Sequence, residues 1–194
     1  MNTGKFQEVV KLVDQANSQD PNKEVFEGKE YPKEILYSNR MVRVLNNFYP
    51  DASDALQIAV RCQHICRWES PRSSYEMNRT GYLLWRKDLK KFHAKKASEI
   101  MSSVGCDTEV IEKVSFLLQK KQLKRNEETQ VLEDVACLVF LEFYFEAFAK
   151  KYEEAKLIDI VQKTWRKMSE KGHEAALKLT YSKDSYALIT KALS

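Results

Sequence analysis

The chain has 194 residues, 43% hydrophobic and 31% charged, with a net charge of +4. This is ordinary globular usage, and it excludes a polycation that would hold nucleic acid by composition alone. The length suits one domain over residues 1–194, with N-terminal helices and a loop over 1–50, a central core over 51–150 and C-terminal helices over 151–194. Only five glycines and four prolines interrupt regular structure, so helices are favoured.

In chain order, Phe6, Val9, Val10 and Val13 recur at the spacing of a one-sided helix over about residues 6–16. The segment "NSQDPNKEVFEGKEYPKE" reads as a connection, because two prolines, a glycine and many polar groups cannot build a core element. A helix over about 33–48 should turn Ile35, Met41, Val42 and Leu45 inward, and Pro50 stops it. Asp51 or Ser53 then caps a helix running to about Trp68. The polar stretch "ESPRSSYEMNRTG" follows as a loop, long enough to suggest a functional role.

A long helix over about 82–104 ends at Gly105, where a residue of left-handed conformation would sit. Asp107 or Thr108 caps the next, which carries Val110, Ile111, Val114, Leu117 and Leu118, and "KKQLKRNEETQ" is a charged junction. "VLEDVACLVFLEFYFEAFAKKY" is apolar nearly all round and should be a central buried helix. "DIVQKTWRKMSEKG" is amphipathic and closes with Gly172, and one or two short helices end the chain. No strand-like alternation stands out, so the fold class expected is all-α, with about eight helices.

The four cysteines, Cys62, Cys66, Cys106 and Cys137, are sparse and lie mostly in apolar helical contexts, which predicts free thiols. No run approaches the ~20 apolar residues of a membrane-spanning helix. The amino terminus "MNTGKFQEVVKLVDQ" also lacks a signal-peptide pattern, so no membrane partner and a cytoplasmic location are expected. In "CQHIC" a helix would point His64 about 200° away from Cys62, so the two thiols and the imidazole would not share one ion.

Three polar residues interrupt helical stripes. His93 lies in line with Leu89, Ala97 and Ile100, Asp134 shares a face with Val131, Leu138 and Leu141, and His64 falls on the side of Val60 and Trp68. An unpaired carboxylate at Asp134 would cost several kcal/mol, so something must pair with it. Converging in one core, His64, His93 and Asp134 would form a divalent-metal site, since imidazole and carboxylate are the usual ligands of zinc, iron or manganese. A His–Asp pair is equally a satisfied structural unit.

Charge is unevenly spread. Residues 61–96 hold ten Lys/Arg against three Asp/Glu, whereas residues 127–159 hold nine acids against three lysines. Within the basic segment Arg67, Arg72, Arg79 and Arg86 alternate with Trp68, Tyr75, Tyr82 and Trp85, a mixture suited to phosphate oxygens and to a stacked base or sugar. The alternative is that these cations solvate helix ends and pair with acids such as Glu69 or Glu133.

The course "FHAKKASEIM…LLQKKQ…VLEDVACLVFLE" resembles the HD-domain phosphohydrolase superfamily, with His93 and Asp134 at the opening histidine and the late aspartate. "LLQKKQ" stands where that pattern has its paired His-Asp, so the resemblance implies a metal centre only if His64 or Glu133 substitutes. A closer resemblance covers nearly the whole chain. "HICRWESPRSSYEMNRTGYLLWRKDLKKFHA", "LEDVACLVFLE" and "KTWRKMSEKG" look like blocks of the family catalogued as domain of unknown function four-two-zero-two. That family carries no established activity.

The expected function is therefore an HD-like domain binding a phosphorylated small molecule or nucleotide. Arg67, Trp68, Arg72, Arg79 and Arg86 would hold the ligand, His64, His93 and Asp134 a divalent metal, and Asp134 and Glu133 would serve metal-dependent phosphohydrolysis. The alternative is a non-catalytic HD-like protein that binds RNA or an acidic protein partner.

Overall fold

A computed structural model describes residues 1–194 and shows an all-α fold of ten α-helices with one short β-hairpin. The chain forms two compact units, Met1–Gln122 and Leu123–Ser194, and their boundary falls inside the charged junction "KKQLKRNEETQ". Lys120, Gln122 and Lys124 all have positive φ there (54°, 54° and 75°), a conformation that side chains with a Cβ rarely adopt. The boundary divides the 51–150 stretch expected to form one core.

In the first unit, α1 (Thr3–Ser18) is capped by Asn2, whose side chain accepts from Gly4 N. The segment read as a connection instead folds into β1 (Lys23–Phe26) and β2 (Lys29–Pro32), with Phe26 opposite Lys29. Glu27 and Gly28 form the two-residue turn, both with positive φ (49° and 74°), the hairpin geometry that matches strand twist. Glutamate is not a usual residue at the first of these positions, which is why the sequence hid the turn.

Helix α2 (Lys33–Phe48) has the expected span, but its buried stripe is Glu34, Leu36, Ser38, Arg40, Met41, Val44 and Leu45. Ile35 and Val42 are only partly covered. Helix α3 (Asp54–Arg61) starts at the Ser53 cap, whose hydroxyl accepts from Leu56 N, and stops well short of Trp68. In the turn that follows, buried Asn17 on α1 accepts from Cys66 N at 3.0 Å, and Cys66 takes a left-handed φ of 50°.

Short 3₁₀ turns at Arg67–Glu69 and Arg72–Ser74 cross the predicted loop and lead into α4 (Arg79–Ser103). Gly105 follows with φ +73°, and Asp107 precedes α5 (Thr108–Leu118). Helices α2, α3, α4 and α5 pack in sequence, α2 on α3, α3 on α5 and α5 on α4, around Met41, Leu45, Leu56, Ile58, Ile65, Met101 and Leu117.

The second unit contains α6 (Glu127–Val139), α7 (Phe145–Ala149), α8 (Glu154–Trp165), α9 (Glu170–Leu177) and α10 (Lys183–Leu193). The expected central helix is interrupted by a π-helical stretch at Phe140–Tyr144, which separates α6 from α7. Helix α6 packs on α9, and α10 packs on α7 and α8. Gly172 does not close a helix. It lies inside α9, which restarts at the Ser169 cap.

No helix is long and apolar enough to cross a membrane. All four cysteines are buried and none is joined in a disulfide.

Candidate functional site

In the first unit, three elements bring a polar cluster together. The first turn of α2 buries Glu34, and the turn after α3 carries His64 and Arg67. The inward stripe of α4 supplies Trp85 and His93, with Arg86 beside Trp85. The periodicity that marked His93 as inward is realised: it is 5% exposed.

His64 is held on two sides. Tyr37 stacks on its ring with centroids 3.9 Å apart and planes 11° from parallel, and Glu34 Oε2 lies 3.3 Å from Nδ1. That oxygen is within ion-pair reach yet has no hydrogen-bond partner, so the pair is close without being aligned. Arg67 Nη1 stands 3.2 Å from Nε2 and 3.3 Å from Nδ1 of the same ring, and its guanidinium lies over the Trp85 indole at 5.3 Å. A guanidinium only donates, so the nitrogen it meets must offer a lone pair, which requires a neutral imidazole. The His93 ring is 5.9 Å from that of His64, and its buried Nε2 has no hydrogen-bond partner.

Electrostatics agree with that protonation state. Burial, then the charge of Arg67, holds His64 well below the usual histidine range, and burial with Arg67, Arg86 and Lys120 pushes His93 down to about 3. Burial works oppositely on the acid and raises Glu34 to about 7, despite the opposing pull of Arg67. Arg67 and Arg86 therefore bring positive charge that no ion pair takes up. Arg67 meets no carboxylate within ion-pair distance, and Arg86, half-buried, makes neither a hydrogen bond nor an ion pair.

A family model described as Domain of unknown function (DUF4202) matches residues 7–189. The chain belongs to the DUF4202 family. No curated protein and no solved structure shows a match to it. The blocks that carry the family resemblance in this DUF4202 chain contain His64, Arg67, Trp85, Arg86 and His93.

The other residues expected at the site have different surroundings. Arg72 donates to the backbone carbonyls of Tyr75, Glu76 and Asn78, which commits its fork to shaping the loop. Arg79 is exposed at the start of α4. Trp68 lines an open groove of about 380 Å³ with Cys66, Glu69 and Lys96, where Lys96 and Glu69 pair at 2.7 Å.

Asp134 and Glu133 are buried on α6, in the second unit. Asp134 Oδ2 accepts from the Ser169 hydroxyl at 2.6 Å, and its Oδ1 accepts from Ser169 N at 2.8 Å and Gln130 Nε2 at 3.0 Å. The partner demanded by burial is thus the start of α9. Gly172 completes the arrangement, since a Cβ there would stand 2.8 Å from Asp134 Oδ1. Glu133 lies 3.9 Å from Lys167.

The residues present do not fit the expected divalent metal: no group of three or more His, Cys, Asp or Glu side chains is arranged to hold one. Asp134 spends both oxygens on donors, and a guanidinium 3.2 Å from His64 repels a cation.

Glu34, Tyr37 and Lys120 escaped the sequence reading. A signal for Glu34 was present, because it lies seven residues from Met41 and four from Ser38 on one helical stripe. Lys120 joins only through the tertiary fold.

Proposed function

We propose that the first unit binds a phosphate-bearing small molecule or nucleotide at Arg67, Arg86, His64 and His93. The carrying observation is Arg67, which lies without a carboxylate partner beside an imidazole that burial keeps neutral. A phosphate dianion provides what the cluster lacks, negative charge and several acceptor oxygens for the two guanidinium forks. Tyr82, 46% exposed with its ring 6.0 Å from Trp85, offers a face for a base or sugar.

Calorimetric titration with inorganic phosphate, pyrophosphate and a panel of nucleotides tests the reading. Saturable binding that Arg67→Ala weakens about ten-fold or more, and Arg79→Ala leaves unchanged, is expected. Absence of binding across the panel, or equal affinity in Arg67→Ala, would overturn it.

The second reading, an RNA or acidic-protein binder, is favoured by the exposed Arg79, Lys87, Lys91 and Lys95 along α4. RNA binding that falls steeply with salt and depends on those four cations would move the function there.

A further inference from the structure

Resting on that phosphate-binding reading, we propose a further activity: His64 accepts a phosphoryl group on Nε2, making the first unit a metal-independent phosphoryl-transfer centre that works through a phosphohistidine. The donor class is a phosphoanhydride or an acyl phosphate.

A histidine nucleophile needs a neutral ring, a fixed orientation, an acid group on its far nitrogen and cations around the phosphorus. Each is present. Tyr37 stacks on the imidazole at 3.9 Å, and Glu34 Oε2 is 3.3 Å from Nδ1 with no hydrogen-bond partner of its own. Arg67 Nη1 is 3.2 Å from Nε2, the nitrogen that would attack, and 3.3 Å from Nδ1, so the arriving phosphoryl oxygens must draw the guanidinium off the ring and free the Nε2 lone pair, while Arg86 adds charge without any ion pair. The unpartnered, buried Nε2 of His93 lies on the neighbouring ring, 5.9 Å away.

In the step, the Nε2 lone pair forms the N–P bond while the bond from phosphorus to the leaving oxygen breaks and its electron pair departs on that oxygen. Nδ1 keeps its proton, and ionised Glu34 balances the positive ring. Arg67 and Arg86 hold the charge that spreads over the phosphoryl oxygens. Water attack on phosphorus then returns neutral His64 and releases inorganic phosphate.

The donor class follows from protons. The His93 ring, 5.9 Å from that of His64, has a buried Nε2 with no hydrogen-bond partner, and burial with the nearby cations keeps it unprotonated, so it has no proton to give a leaving alkoxide. A leaving phosphate or carboxylate needs none.

The pH response has a defined sign. Glu34 faces Arg67, Asp20, Lys33 and Glu24, and His64 faces Arg67, His93, Arg86 and Lys120. Among these, Glu34 changes charge near neutrality, at about 7, and only its ionised form supports the cationic ring. Phosphorylation should therefore rise as pH climbs through about 7.

The experiment incubates the full chain with labelled acetyl phosphate in one arm and a γ-labelled nucleoside triphosphate in the other, followed by mass spectrometry. The expected result is one phosphoryl group on His64 from at least one donor, lost in acid and stable in base. It should be absent in His64→Asn. In Glu34→Gln it should form about ten-fold more slowly and without the rise near pH 7, with phosphate affinity retained. Label on another residue, an acid-stable adduct, or no adduct from either donor in protein that binds phosphate would overturn the transfer activity and leave the binding reading standing. Absence of phosphate binding would remove both. Circular dichroism of each variant, with Glu34→Gln as the gentler change, separates lost chemistry from lost folding.

Discussion

Asp134 and His93 are both polar residues on helical stripes that should be apolar, and the structure treats them oppositely. In the second unit the carboxylate at Asp134 receives three hydrogen bonds, two from Ser169 and one from Gln130. In the first unit the His93 Nε2 is buried with no hydrogen bond, and Arg67, beside the neighbouring His64 ring, meets no carboxylate. A satisfied buried group explains itself through stability, because it caps a helix and fixes how two elements meet. An unsatisfied one costs free energy in the folded chain, and the proposed phosphate would complete it.

Removing the satisfied group should give the largest effect. Asp134→Ala strands the Ser169 amide and hydroxyl and takes one of two acceptors from the Gln130 amide, and should cost about 3 kcal/mol in denaturant unfolding. Gly172→Ala attacks the same contact from the other side, since its Cβ would meet Oδ1 at 2.8 Å, with a loss of about 1–3 kcal/mol. A loss below about 0.5 kcal/mol in both variants would show that the node does not hold α6 and α9 together.

The pH dependence of stability sharpens the contrast from the first unit. His93 is depressed to about 3 and His64 lies well below 6.5, so each contributes stability that is present above 6.5 and lost as pH falls. Glu34 is raised from 4.5 to about 7, so its contribution is present below 4.5 and lost as pH rises through 7. Between pH 4.5 and 6.5 the unfolded chain therefore binds more protons at the two histidines and fewer at Glu34. The histidines outweigh Glu34, so stability should rise with pH across this window, and Glu34→Gln should steepen the rise. Unfolding curves across this window measure both, and a slope unchanged in Glu34→Gln would remove Glu34 from the balance.

The smallest effect is the most diagnostic. His93→Leu replaces an unpartnered imidazole with an apolar side chain of similar size, so stability should stay within about 1 kcal/mol of the parent chain. Phosphate binding should weaken in the same variant. A loss comparable to that of Asp134→Ala, read by the same denaturation assay, would show that His93 is a structural residue after all.

Residues that act through local rules were legible. Ser53 as a cap, Gly105 with its positive φ, the span of α2, the inward His93 and the need for a partner at Asp134 all follow from helix periodicity and backbone stereochemistry. The hairpin stayed hidden because its turn uses glutamate at a positive-φ position, and the turn that follows α3 was not legible because Asn17, 49 residues away, captures its Cys66 N. The basic segment also read as one site, but the structure divides it: Arg67 and Arg86 join the cluster, whereas Arg72 spends its donors on loop carbonyls.

Sequence by itself determined the all-α class, the family, and that His64 and His93 were residues to explain, because each of these depends on composition, spacing or aligned motifs along one chain. Only the tertiary structure decided that Glu34 and Tyr37 would hold His64, that Ser169 would satisfy Asp134, and that Arg67 would have no counter-charge. Pairing and desolvation arise between groups far apart in the chain, and they are what separate a structural polar residue from a binding one.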